Sequence, residues 1–147
     1  MEGLDSEDEL LRDVPLKEGL FEWDGRSGRW IPALAAMHFD PDGLSTFVER
    51  MLISNGHSVA DVPSRGGVVE RASTVYSVRN DAASTYYDTG HTPNSDSPIG
   101  YAHSSIMKKD GMTRKQHNDA RRLLAPLMRC VYGEVPFEPP PNQGAAA

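Results

Sequence analysis

A single cysteine in 147 residues, Cys130, excludes an intramolecular disulfide framework and any multi-cysteine zinc site. No stretch approaches the roughly 18 apolar residues of a membrane span, so no membrane partner is expected. The opening segment MEGLDSEDELLRD is acidic where a secretory signal is basic and then apolar, so a soluble, cytoplasmic protein is the expectation. The P-loop, G-x-G-x-x-G, G-x-S-x-G and H-E-x-x-H patterns are all missing. Their absence argues against phosphate cradles, nucleophile-elbow hydrolases and zincins. Two-histidine phosphoesterases need two H-x-[ST] motifs, and only His103-Ser104-Ser105 fits.

What is present is an uneven charge. The net charge is −6, yet residues 1–24 hold nine acids against Arg12 and Lys17, and the other 123 residues sum to +1. Residues 104–129 carry seven bases against Asp110 and Asp119. Such asymmetry speaks to partners rather than to fold. Apolar residues make up 38% of the chain, enough for one modest core, and the length suits one domain.

Residues 1–18 read as an acidic, mobile head, residues 19–134 as a single α+β domain, and residues 135–147 as a Pro-rich disordered tail. Phe21, Trp23, Trp30 and Ile31 flank Asp24-Gly25-Arg26-Ser27-Gly28, a β-hairpin signature. Leu44, Phe47, Val48, Met51 and Leu52 recur at helical spacing, which predicts a middle helix from Asp42 to about Ser54. Val59–Val62, Thr74–Val78 and Ile99–Ile106 read as strands, and 88–98 as an exposed loop. Thr113 with Gln116 forms a capping box, opening a long C-terminal helix over 114–132, kinked at Pro126. The order predicts a small α+β fold: a mainly antiparallel sheet with an N-terminal hairpin and both helices packed on one face.

Asp42-Gly43-Leu44-Ser45, Ala102-His103-Ser104 and Thr113-Arg114-Lys115-Gln116 together resemble a loose group of small uncharacterised bacterial and phage proteins. The resemblance spans His38 to Leu124, implies a stand-alone small domain, and carries no activity.

Two sites emerge. On an ideal helix Ala120, Leu123, Leu124, Leu127, Cys130 and Val131 share an apolar side, which makes Cys130 a buried small hydrophobe. Arg114, Lys115, Asn118, Arg121, Arg122 and Arg129 lie opposite, a basic face suited to phosphates. The expected function is a non-enzymatic bacterial or phage accessory binding module. That face would engage a nucleic acid or an acidic protein, with the chain's own N-terminal acidic segment masking it. The second site is HFDPDGLSTFVE. It matches a calcium loop at Asp40, Asp42, Gly43 and Glu49, but His38 replaces the first ligand and Pro41 stiffens the loop. No cofactor is expected; a divalent cation on Asp40, Asp42 and Glu49 is the weaker alternative to a helix-capping turn. The alternative function is a small metal- or histidine-dependent hydrolase using His38, Asp40, Asp42 and His103, with loop-borne His91 a further catalytic candidate.

Overall fold

The computed structural model describes residues 3–67 and 72–141. In chain order these form β1 (Glu9–Pro15), β2 (Phe21–Asp24), β3 (Arg29–Pro32), β4 (Leu44–Val48), α1 (Glu49–Ser54), β5 (Ser73–Arg79), α2 (Asn80–Tyr86), β6 (Asp88–His91), β7 (His103–Met107), α3 (Arg114–Leu124) and β8 (Arg129–Tyr132). Six strands build one antiparallel sheet in the order β6-β7-β4-β1-β5-β8, and β2–β3 is a separate hairpin. The α+β architecture with a mainly antiparallel sheet is therefore as the sequence pattern implies. No helix among the described residues is long and apolar enough to cross a membrane.

Both sheet faces are covered. Leu10 and Val14 of β1, Leu44 and Val48 of β4, Tyr76 and Val78 of β5 and Ile106 of β7 meet the hairpin, α2 and α3 in the larger core. Leu11, Phe47 and Val75 turn to the other face, where they meet Leu52 of α1, Val62, Ile99 and Ala102. The helices thus lie on both faces rather than one. Double coverage also explains why the central strands lack clean alternation: Leu10 and Leu11 are adjacent and fully buried.

Several expectations are overturned. The supposedly mobile head supplies the central strand β1, paired with β5 from Glu9↔Arg79 to Pro15↔Ser73. Its acids are anchored: buried Asp8 is held by Arg50, and buried Asp13 lies 3.4 Å from Arg65. The first half of the expected middle helix is β4, because Leu44, Thr46 and Val48 are needed on one face and Phe47 on the other. Residues 59–61 are a 3-10 turn capped by Ser58, not a strand, and 88–91 form a strand where a loop was expected.

The C-terminal helix is short. The capping box forms, Thr113 Oγ1 accepting from the Gln116 amide and Gln116 Oε1 from the Thr113 amide. The helix ends at Leu124, followed by a 3-10 turn containing Pro126, whose ring supplies no amide for a further turn. The chain then runs along the edge of β5 as β8. Leu123 and Leu127, expected in the core, are 55% and 49% exposed, and Cys130 is exposed on β8. Up to Pro141 the Pro-rich tail is described, and its Val135 and Phe137 pack on the larger core rather than lying disordered; residues 142–147 of that expectation fall outside the described residues.

Candidate functional site

A basic cleft of about 440 Å³ lies between the start of α3, the end of β7 and the segment leading into β4. His38, Lys108, Arg114, His117, Asn118 and Arg121 line it, and among the described residues no carboxylate does. Its construction follows from helix geometry. Positions 114, 117, 118 and 121 fall at i, i+3, i+4 and i+7, one stripe beside the buried Ala120 and Leu124. The remaining bases, Lys115 and Arg122, occupy a second stripe with Asp119 on the solvent side.

The two stripes are electrostatically different. Lys115 is spent on Asp119, with Nζ to Oδ2 at 2.9 Å. Arg121 is turned inward: its guanidinium donates to the carbonyls of Leu34 and Met37 and to Asn118 Oδ1, fixing α3 against the 34–37 turn. Arg129, expected on the same helix face, belongs to β8 and pairs with Glu9 at 2.8 Å. Five cations therefore do not form one open stripe. Arg114 is exposed at the first helical residue, where the positive end of the helix adds to it. The capping box satisfies the amides of Thr113 and Gln116, and those of Arg114 and Lys115 are helix-terminal donors with no partner among the described residues.

His117 sits at the floor. Phe39 packs edge-on at 4.6 Å, and Tyr87 Oη lies 2.9 Å from His117 Nδ1 and donates to the His117 carbonyl. That pattern places a hydrogen on Nδ1 and leaves Nε2 as the titrating nitrogen. Burial, then the positive charges of Arg121 and Lys108, push the His117 pKa below its ordinary 6.5. The Tyr87 phenol is buried and its pKa is pushed up to about 12, so it stays a neutral donor. His117 carried no recognisable motif; its only sequence signal was its place one turn after Arg114.

The second predicted site is dispersed. Asp40 and Gly43 bridge each other across a tight turn, with Gly43 at φ +100°. His38 Nε2 lies 3.8 Å from Asp40 Oδ1, both exposed. Glu49 instead opens α1 beside Asp5, Glu7, Asp8 and Glu9 in an acidic depression of about 730 Å³ centred on Arg50. No group of three or more metal-ligating side chains forms among the described residues. The acidic head therefore packs on Arg50 rather than over α3, which corrects the expected masking.

His38 and His103 do not converge. His103 pairs with Phe47 in register and shares its sheet face, opposite the face that α3 covers. There His103 Nδ1 lies 2.9 Å from the Thr92 carbonyl and Nε2 lies 3.0 Å from Ser45 Oγ. Donation from Nδ1 to that carbonyl leaves Nε2 to accept from the serine hydroxyl, a tautomer suited to a general base. Ser45 carries no local sequence signal, because its partner lies 58 residues away. His91 donates from Nε2 to the Tyr101 carbonyl at 2.7 Å. No protein family, curated protein or solved structure matches the chain.

Proposed function

We propose that this chain is a non-enzymatic binding module, of the bacterial or phage accessory kind, that takes a phosphate of a nucleic-acid strand into the α3 cleft. One observation carries the reading: Lys108, Arg114 and Arg121, with His38 and His117, line a cleft to which no carboxylate of the described residues contributes, in a chain of net charge −6. Lys and Arg side chains with free helix-terminal amides suit a tetrahedral phosphate oxyanion. Lys108 and Arg114 are the contact residues; Arg121 positions the helix.

Anisotropy of a labelled single-stranded oligonucleotide at low salt tests this, with an acidic peptide in a parallel arm. The Lys108→Gln/Arg114→Gln double variant is expected to bind at least about tenfold more weakly and with a shallower salt dependence. Arg122→Gln, on the solvent stripe, is expected to weaken binding less. Equal affinity of double variant and wild type defeats the reading, and preference for the acidic peptide transfers the cleft to an acidic protein partner.

A second reading, a small hydrolase, is favoured only by the Ser45–His103–Thr92 hydrogen-bond chain. It replaces the expected grouping of His103 with His38, Asp40 and Asp42. Ser45 labelling by a fluorophosphonate, abolished by His103→Gln, is its expected signature.

A further inference from the structure

Away from the α3 cleft, the Pro-rich segment after β8 does something its composition does not announce. Phe137 inserts beside the β2–β3 hairpin, its ring 6.1 Å from Trp30 and 6.0 Å from Phe21, both edge-on. Trp30 Nε1 donates to the Phe137 carbonyl at 3.2 Å. Trp23 stacks edge-on against Trp30 at 5.4 Å, and the buried Tyr76 phenol donates to the Trp30 carbonyl at 2.8 Å, fixing the hairpin on the sheet. The ring system is thus held from behind by the core.

The segment has the chemistry of a polyproline-type ligand. Residues 135–141 read VPFEPPP, with Pro136 and Pro139 in P-x-x-P spacing. Prolines preset φ and lack amides, so the carbonyls are the groups left to recognise, and aromatic grooves read such segments with low entropic cost. An indole N–H donating to a carbonyl between edge-on rings is that mode of recognition.

Among the described residues the groove is also not filled. A cavity of about 580 Å³ remains between Trp23, Trp30, Tyr76 and Cys130 on one side and Phe137 and Pro139 on the other. Trp23 Nε1 is buried there without a hydrogen-bond partner among the described residues. One aromatic donor is thus in use by the tail and a second is idle, which marks a site larger than the resident segment.

We infer that the aromatic face of the β2–β3 hairpin is a docking groove for proline-rich segments of another protein, and that the chain's own residues 134–141 occupy it as a competing, displaceable ligand. The partner carries an aromatic residue followed by prolines, and its carbonyls take the Trp30 indole and, further along, the Trp23 indole. The tail then sets the threshold for capture: only a segment that outcompetes a tethered copy enters.

The test uses the full chain and a synthetic peptide of sequence EVPFEPPP, matching residues 134–141. Indole resonances of Trp23 and Trp30 are followed by NMR during titration. Phe137→Ala in the full chain removes the resident anchor, and this variant is expected to bind the peptide at least tenfold more tightly than wild type. Adding Trp30→Phe is expected to abolish that gain, as is replacing the peptide's phenylalanine with alanine. A folded Phe137→Ala chain that ignores the peptide overturns the proposal and leaves the tail a purely structural strap. Binding insensitive to Trp30→Phe overturns it equally. Should Phe137→Ala fail to fold, millimolar peptide added to wild type decides: a shift of the Trp30 indole resonance supports displacement, and its absence refutes it.

Discussion

Arg50→Met asks whether the acidic first residues are anchored. Asp8 is 3% exposed at its side chain and accepts from Arg50 Nε at 2.8 Å and Nη2 at 3.0 Å, with a third bond from the Asp5 amide at 2.9 Å. Breaking a fully buried pair costs roughly 3–5 kcal/mol, because the remaining charge is left uncompensated. Two observations reduce that figure: the Arg50 side chain is 51% exposed, and Asp8 retains the Asp5 amide. The expected loss is therefore about 2 kcal/mol, between the surface and buried limits. Urea unfolding at pH 7, read through Trp23 and Trp30 fluorescence, measures it with an unchanged slope. The Asp8→Asn/Arg50→Met double variant removes the orphaned charge and should recover a substantial part, giving a coupling energy of about 1 kcal/mol. The sign with pH follows from the Arg50 hydrogen bonds, which lower the Asp8 pKa below 3.8. The stabilisation is complete above 3.8 and is lost as pH falls through the folded-state value, so the gap between wild type and Arg50→Met should close in acid. A loss under about 0.5 kcal/mol, or a gap that persists unchanged in acid, would refute the anchoring.

Three further outcomes are expected. Gly43→Ala should cost roughly 2 kcal/mol or more in thermal unfolding, since φ is +100° and a Cβ would stand 2.5 Å from the Ile106 carbonyl oxygen. Thr113→Ala should cost about 1 kcal/mol in chemical denaturation, with Thr113→Ser retaining most of the cap. His117 should titrate below 6.5 by NMR; between the two values the unfolded chain binds more protons, so stability falls as pH drops through 6.5, and a bound oligonucleotide should raise the His117 pKa.

The hairpin, β5 and the α3 cap were legible because each is local: turn residues, β-branching and a capping box act within a few positions. The strand β4 was not. Leu44, Phe47, Val48, Met51 and Leu52 satisfy a helical period by accident of a strand running directly into α1, with both sheet faces demanding apolar residues. Strand β1 was hidden by the charge in and just before it, since Asp8 and Asp13 are neutralised by Arg50 and Arg65, partners no local window contains. For the cleft, residue types on α3 pointed to Arg114, Asn118 and Arg121, while the contributions of His38 and His117 needed the tertiary placement of the 34–39 segment. The overlong C-terminal helix arose because Leu127 and Val131 continue the apolar period beyond Pro126, although they belong to a turn and an edge strand.

The strand order carries a kinetic consequence. Strand β1 occupies the middle of the sheet, yet its partners begin at residue 44 and residue 73. The β2–β3 hairpin can form within microseconds, and β6–β7 soon after the intervening loop closes. The sheet's centre cannot close until Ser73–Arg79 reaches Glu9–Pro15, a loop-closure cost met before any of those seven pairs contributes. Refolding should therefore be limited by the β1–β5 zipper, in the millisecond-to-second range of nonlocal β topologies, and Leu11→Ala should slow it more than Leu124→Ala does. Until β4 or β5 reaches it, the Leu10, Leu11 and Val14 strand is unpaired and apolar, a segment prone to association during folding.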